Sequence, residues 1–337
     1  MPLTKKDDDF SARIHLRSPP IGYLCTPLST ETMTRKDNPA LYHSMAIVTA
    51  AIWGTTFVST KVLISHGLTP AQIFFCRFLL AYIGIWLVCP RKLFAGSLKD
   101  EMLMAAAGLT GGSLYFLAEN TALGITLASN VSLIICTTPL LTAFLSSLVL
   151  KSGRPTLRFI AGALVALAGV ALVVFNGRFV LELSPLGDIL TLTAALMWAS
   201  YSIVMKLLEN KYSPSFITRK VFFYGLLTIL PVVFFSADRP DFSLLQDTIV
   251  VSNLLFLGLV ASLLCYLMWN TAIKQIGIVR ATNYIYMTPV VSMVTAAVAI
   301  NEKITPIAIA GSILILLGVY SAERAARKAS RAGSLKP

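Results

Sequence analysis

The chain has 337 residues, of which 56% are hydrophobic and 13% charged, and its mean hydropathy is +0.75. So few polar side chains cannot cover a water-soluble surface of this size, which excludes a large soluble domain. The 28 Lys and Arg exceed the 16 Asp and Glu, but they lie between apolar runs and in the tails rather than on one stripe, so we expect no nucleic-acid partner. The five cysteines form no CxxC pair, so neither a disulfide framework nor a metal site is predicted.

Apolar runs separated by Pro, Gly or charge clusters predict a series of membrane-spanning helices. Residues 1–42 are polar and predict a disordered tail without a signal-peptide core. Ten spans follow, near 44–65, 71–89, 102–122, 127–150, 157–176, 187–207, 216–235, 250–273, 280–300 and 304–322, and residues 323–337 form a basic tail. The predicted fold class is therefore all-α integral membrane with ten transmembrane helices.

The loops between these spans differ in charge from one side of the membrane to the other. Most connections are short, so successive helices run antiparallel and the loops alternate between the two sides. Lys and Arg are concentrated in one set of loops and in the C-terminal tail, whereas the opposite set carries Arg178, Arg239 and Lys303 alone. This bias predicts that both termini lie in the cytoplasm.

The two halves of the chain share a series of motifs in the same order. Trp53 and Lys61 of the first span match Trp198 and Lys206 of the sixth, with the same spacing. The other repeated pairs are Asn120 with Asn270, Asn130 with Asn283, Pro139 with Pro289, and Gly162 and Gly169 with Gly311 and Gly318. Because each half holds an odd number of helices, residues 43–176 and 177–322 are predicted as two inverted five-helix repeats, a frame typical of alternating access.

At these motifs the sequence resembles the EamA-type family of the drug/metabolite transporter superfamily. The similar stretches include IWGTTFVSTK in the first span, GGSLYFLAENTALGITLASN across the third and fourth, and LLCYLMWNTAIKQIGIVRATN across the eighth and ninth. The resemblance implies a permease that exports amino acids or other small metabolites without ATP or another cofactor. With the basic loops, it implies a multi-pass protein of a cell inner (plasma) membrane, whose partners are the lipid bilayer and a small-molecule substrate.

Three charged side chains inside the predicted spans stand out as candidates: Lys61, Arg77 and Glu119. A charge at the centre of a span costs about 2.5 to 3.5 kcal/mol on insertion scales, so such groups face protein or water and are functional candidates. All three are predicted in the outer third of the membrane, as a substrate- or proton-binding cluster in which Glu119 titrates. The structural alternative is that Arg77 and Glu119 pair to hold two helices, or that Lys61 extends to the outer interface.

A second group of candidates is polar and aromatic and comes from matching positions of both halves. Helical spacing places Tyr266, Trp269 and Asn270 on one face of the eighth span, and Tyr115 and Glu119 on one face of the third. We predict a pseudo-symmetric cavity that binds an amphipathic solute by hydrogen bonding and stacking. Its candidate residues are Trp53, Tyr115, Glu119, Asn120, Asn130, Trp198, Tyr266, Trp269, Asn270 and Asn283. Alternatively, the amides join helices through hydrogen bonds worth about 0.6 kcal/mol each.

Proline interrupts the fourth and ninth spans at matching positions, Pro139 and Pro289. A proline inside a helix frees a backbone carbonyl and permits a kink, which suits gating and also occurs in static bundles.

Other classes of function remain as alternatives to a transporter. An intramembrane enzyme is disfavoured because His15, His43 and His66 lie in the tail or at helix ends and the sequence has no HExxH motif, so no catalytic residues are predicted. A channel or lipid translocator of the same fold is harder to separate from a carrier. A non-transporting membrane scaffold is a further, weaker alternative.

Overall fold

The structure is a computed structural model that describes residues 39–88, 93–126, 128–151, 155–175, 184–236, 242–300 and 305–333. Most of the predicted N-terminal tail and the loop residues Arg178, Arg239 and Lys303 lie outside these ranges. Within them the chain is all-helical, as the composition predicts.

The helices follow the predicted spans closely. The first part of the chain forms α1 (Pro39–Ser65), α2 (Pro70–Val88), α3 (Leu98–Gly108), α4 (Leu114–Ile125), α5 (Ala128–Ile135), α6 (Thr138–Val149) and α7 (Leu157–Phe175). The second part forms α8 (Pro185–Leu208), α9 (Pro214–Phe235), α10 (Thr248–Leu255), α11 (Cys265–Ile276), α12 (Ile278–Thr282), α13 (Thr288–Ile300) and α14 (Pro306–Gly333).

Several helices join end to end through short segments with other hydrogen-bonding patterns. π-helical segments join α3 to α4 (Leu109–Ser113) and α10 to α11 (Phe256–Leu264), and a 3₁₀ segment joins α12 to α13 (Asn283–Met287). A further 3₁₀ turn, Phe242–Gln246, precedes α10. Each predicted span therefore corresponds to one α-helix, to a pair joined in this way or, for 127–150, to α5 and α6 joined by a turn at residues 136–137.

The helix boundaries have local causes in the sequence. Ser184 and Ser213 cap α8 and α9, each followed by a proline in the first turn, where a missing N–H costs nothing. α11 ends at Gly277, whose φ of +88° is a conformation that favours glycine. α14 continues through Gly333, beyond the predicted end of the last span at 322, because the added Ala, Arg and Lys residues are strong helix formers.

Much of the helical surface is apolar enough to face lipid. Among the described residues, six helices are long and apolar enough to cross a membrane. Two shorter apolar stretches, Leu157–Val173 and Ile309–Ala322, add to them. The architecture is that of a multi-pass membrane protein.

Helices from the first part of the chain pack mainly against helices from the second part. α1 packs against α11 and α13, and α8 packs against α4 and α6. The repeated motifs match α1 with α8, α11 with α4 and α13 with α6. When each helix is replaced by its match, the two pairings of α1 therefore become the two pairings of α8. α2 packs directly against α9, and α7 packs directly against α14. The core therefore lies between the two parts rather than inside either one.

Four glycines bring α7 and α14 into backbone contact. A Cβ atom built on Gly169 would lie 2.6 Å from the carbonyl oxygen of Gly311, and one built on Gly311 would lie 2.7 Å from that of Gly169. Gly318 and Gly162 show the same relation, with Cβ positions 2.6 Å and 3.0 Å from each other's carbonyl oxygens. The matching glycine pairs of the sequence are therefore a close helix-packing surface.

Candidate functional site

A cavity of about 40 Å³ lies at the centre of the fold, between helices of both parts of the chain. It is lined by Trp53, Thr56, Phe57, Arg77, Tyr115, Phe116, Glu119, Ile135, Thr138, Trp198, Ile285 and Thr288. The lining includes the matching residues Trp53 and Trp198, and the threonines that precede Pro139 and Pro289. A cavity of this volume holds about three water molecules, which is too little space for a metabolite, and we call the conformation closed in that sense.

Aromatic rings form the walls of this cavity. The rings of Trp53 and Trp198 meet edge to face, with centroids 5.0 Å apart and an interplanar angle of 89°. Trp269 packs on Trp53 at 4.9 Å, and Tyr115 packs on Trp198 at the same distance. Tyr266 contacts both Trp53 and Trp198; Tyr266 and Trp269 pack against the lining residues and are not part of the lining themselves. Such offset and edge-to-face pairs stabilise a rigid apolar surface.

The two π-helical segments lie at matching positions of the two halves, and each accepts a hydrogen bond from an aromatic side chain. The hydroxyl of Tyr266 donates to the carbonyl oxygen of Gly111 in the first segment. The indole Nε1 of Trp53 donates to the carbonyl oxygen of Ala261 in the second, at 3.0 Å. A π-helical turn alters the regular i to i−4 ladder, and such turns often occur at functional sites. Backbone irregularity therefore fixes two of the predicted cavity residues.

Arg77 enters the cavity from α2. Its side chain is 2% exposed, and its Nε donates to the hydroxyl of Ser262 at 3.0 Å. The guanidinium lies over the ring of Phe116, with Cζ 4.2 Å from the centroid. Among the ion pairs of the described residues, none brings Arg77 into direct contact with Glu119, although the two charges interact electrostatically.

Glu119 lines the same cavity from α4. The hydroxyl of Tyr115, one turn earlier on the helix, donates to its Oε1 at 2.6 Å. The residue is 7% exposed, so this carboxyl group is almost removed from solvent. The site thus contains one cationic and one acidic side chain on separate helices, with space between aromatic walls.

The predicted amides have three different environments. Asn270 accepts from the hydroxyl of Tyr201 at 2.7 Å and donates to that of Thr218 at 2.8 Å, which ties α8, α9 and α11 together. Asn120 donates to the carbonyl oxygen of Pro70 at 3.3 Å. The amide of Asn283 is fully buried and has no hydrogen-bond partner among the described residues. These amides do not line the cavity, and the side chain of Asn130 lies outside the described part.

Lys61 and the two prolines lie away from the cavity surface. Lys61 is exposed on α1 and is not part of the group formed by Arg77 and Glu119. Pro139 is in the first turn of α6, directly after the break that separates it from α5. Pro289 is the second residue of α13, after the 3₁₀ segment. The prolines therefore mark breaks in two helices that contribute residues to the cavity.

Sequence reasoning missed a charged cluster at one end of the molecule, which we call the charged clamp: Asp100, Glu101, Lys211 and Lys220. Lys211 Nζ lies 2.7 Å from Asp100 Oδ1, and Lys220 pairs with Glu101. The hydrogen bond from Lys211 holds the pKa of Asp100 below its ordinary value. The clamp joins the beginning of α3 to the α8–α9 connection and to α9. Its lysines entered the sequence argument as topology signals, and the two adjacent acids were the signal that could have revealed their partners.

Comparison with known proteins identifies the family. The model of the EamA-like transporter family matches residues 40–175 and again residues 185–322. The chain belongs to the EamA-like transporter family. The predicted resemblance is therefore confirmed, and the cavity lies in a membrane transporter, a class whose members act on a small-molecule substrate across a lipid bilayer.

Relatives from several organisms cover nearly the whole chain. A probable amino-acid metabolite efflux pump of Salmonella typhimurium is 30% identical over 86% of this chain and 95% of its own length. A probable terminal-alkyne amino-acid exporter of Streptantibioticus cattleyicolor is 25% identical over 82% and 92%. A solved crystal structure, 20% identical, superimposes with a TM-score of 0.64 over 86% of this chain and 98% of that chain, which shows a shared fold.

Proposed function

We propose that this protein is a secondary transporter that exports small metabolites by alternating access, with amino acids as the first class to test. The observation that carries the proposal is the central cavity, which lies between the two parts of the chain and combines aromatic walls with one cation and one acid. Transporters built from inverted repeats usually bind substrate at such an interface. The names of the two exporters among the relatives support the substrate class.

The topology we propose has ten transmembrane helices in two inverted repeats, residues 43–176 and 177–322, with both termini in the cytoplasm of the inner (plasma) membrane. The two successive matches of the family model support a repeat, and the exchange of helix pairings supports its symmetry. The basic loops support the orientation. In this topology the charged clamp lies at the cytoplasmic end.

Alternating access then has a structural basis in the closed conformation. The two ion pairs of the clamp hold helices of opposite halves together on the cytoplasmic side of the cavity. Admission of a metabolite from the cytoplasm requires that these contacts separate, because the present cavity is too small for one. The breaks before Pro139 and Pro289 are the positions where we expect the helices to bend.

In the proton-coupled form of this proposal, Glu119 carries the proton. Its carboxyl group lines the cavity and is held by Tyr115, so it meets solvent only when the cavity opens. A carboxyl that is exposed to each side in turn can bind a proton on one side and release it on the other. The proton gradient then supplies the energy for export.

The test is transport by purified protein in proteoliposomes, with a panel of radiolabelled amino acids, nucleosides and amphipathic drugs, with and without an imposed pH gradient. We expect saturable, gradient-dependent flux that Glu119→Gln abolishes. Asp188→Asn is the matched control, since it removes an acid in the first turn of α8 that does not line the cavity. If Glu119→Gln keeps the gradient dependence, Glu119 does not carry the proton. Flux far above carrier rates would indicate a channel. No flux of any solute would refute transport.

A further inference from the structure

We propose that Arg77 is the residue that recognises substrate in this cavity, and that it selects solutes carrying a carboxylate or a comparable planar anion. The inference rests on the proposed function for the identity of the cavity as a substrate site. It adds the chemical group that every substrate must present and the side chain that binds it.

The first step is the number of hydrogen bonds that Arg77 makes. A guanidinium has five N–H donors, and in this structure Nε alone has a partner, Ser262. The face of the group rests on Phe116, which supplies no acceptor in the plane of the guanidinium. Among the described residues, the donors on the two Nη atoms have no acceptor.

The second step is burial. Arg77 is 2% exposed, so its charge faces the small cavity and not bulk water. A buried cation without a partner is costly, and native structures usually pair it. Lys220 shows the usual arrangement in this chain, because its side chain is 5% exposed and pairs with Glu101. Arg77 makes no such direct contact with Glu119, because that carboxyl group bonds to Tyr115; the two charges attract each other only at a distance.

The third step is orientation. Ser262 holds Nε and Phe116 holds one face, so the edge formed by the two Nη atoms is the unoccupied part of the group. This edge matches the two oxygens of a carboxylate in a bidentate pair. Because Arg77 lines the cavity, an anion that completes its hydrogen bonds arrives through the cavity. A fixed, desolvated and unsatisfied guanidinium is thus a preformed carboxylate site.

The experiment compares acids with their amides, because the amide keeps size and shape while it removes the carboxylate charge; 3-phenylpropionate supplies the pair in which the amide carries no charge at all. Purified full-length protein in nanodiscs is titrated with L-phenylalanine, L-leucine and 3-phenylpropionate and with the corresponding amides. Binding is followed by tryptophan fluorescence, since Trp53 and Trp198 line the cavity. We expect at least one acid to bind at least about tenfold more tightly than its amide, as a hydrogen-bonded charged pair requires.

Variants separate recognition from a merely structural role. In Arg77→Gln we expect the preference for acid over amide to disappear, and in Arg77→Lys to persist in part, because lysine keeps the charge without the planar fork. Arg158→Gln is the matched control, since Arg158 is exposed at the beginning of α7. If Arg77 only supports the fold, Arg77→Gln will lower thermal stability while the acid-to-amide ratio stays unchanged.

Two results with the unaltered protein would overturn the inference without any variant: equal affinity for acids and amides, or binding of none of the acids. Neither result decides the proposed function, because the proteoliposome flux measures that separately. Selective acid binding without flux would keep the recognition role of Arg77 and refute the transporter proposal.

Discussion

Breaking the charged clamp is expected to open the cavity toward the end of the molecule where the clamp lies. The two ion pairs of the clamp differ in burial. That difference sets how far the loss of each pair is expected to shift the equilibrium between the closed and the open conformation. In the Lys220–Glu101 pair the side chains are 5% and 16% exposed, whereas Lys211 is 54% exposed in its pair with Asp100. Hydrogen bonds to charged groups contribute about 1.5 to 3 kcal/mol when desolvated, and an exposed pair contributes about 0.2 to 1 kcal/mol.

Glu101→Gln is therefore expected to shift the closed-to-open equilibrium by about 2 kcal/mol, which is about 30-fold. Three groups donate to the carboxylate of Glu101: Lys220, Tyr224 and the backbone N–H of Ala95. The lost charge weakens all three, and opening lets Lys220 reach water. Lys211→Gln is expected to shift the equilibrium by less than about fivefold, because its ammonium is already half solvated.

The assay is the rate at which N-ethylmaleimide labels a cysteine placed at Ser202, in a protein whose native cysteines are replaced by alanine. Ser202 is fully buried one turn beyond Trp198, so labelling reports the fraction of time that the structure is open. The exchanged pair Glu101→Lys with Lys220→Glu is the control and should restore slow labelling. An unchanged rate in Glu101→Gln, or a larger effect of Lys211→Gln, would refute the reasoning.

Three further predictions concern packing, the buried amides and pH. Gly169→Ala should destabilise the protein by about 1 to 3 kcal/mol, because the added methyl group clashes with Gly311. Gly124→Ala is the control and should not lower the melting temperature, because its methyl group meets nothing within 4 Å. Equal losses of stability in the two variants would contradict the close packing of α7 and α14. Asn270→Ala should cost about 2 to 3 kcal/mol because it leaves the buried Tyr201 hydroxyl without an acceptor and removes one of the two hydrogen bonds of the Thr218 hydroxyl. Asn120→Ala, with one weaker bond, should cost about 1 kcal/mol, again by thermal unfolding. The pKa of the clamp carboxylates is lowered, so the clamp's contribution is complete above their ordinary pKa of about 4 and is lost as the pH falls below it. Because only the thiolate reacts, the labelling rate of the Ser202 cysteine is divided by that of free cysteine at the same pH. This ratio should rise below about pH 4 and stay constant from pH 6 to 8, and a rise that begins at pH 6 would contradict the assignment.

Much of the candidate site was predictable because it depends on composition and repetition. Trp53 and Trp198 were selected as matching residues of two halves, and the structure packs one ring against the other. Arg77 and Glu119 were selected because charge inside an apolar span is costly, and both line the cavity. Lys61 satisfied the same rule but is exposed, since a long side chain can lie at a helix surface.

The predicted pairing of Arg77 with Glu119 illustrates where sequence reasoning stops. Opposite charges on neighbouring spans suggest an ion pair, but Tyr115 lies one turn from Glu119 and donates to it, while Ser262 receives the Nε donor of Arg77. Which of several nearby partners is used depends on the rotation of α2 and α4 about their axes. Packing against other helices sets that rotation, and a single sequence does not contain it.

The sequence by itself determined that this chain is helical, that it lies in a membrane and that its two halves repeat, because hydropathy, charge and motif order are local or periodic properties. Tertiary structure alone decided which matching residues meet, that two π-helical segments hold Tyr266 and Trp53, and that Asp100 and Glu101 reach lysines more than a hundred residues away. Contacts of that kind depend on the relative position of whole helices, which arises from the packing of the entire fold.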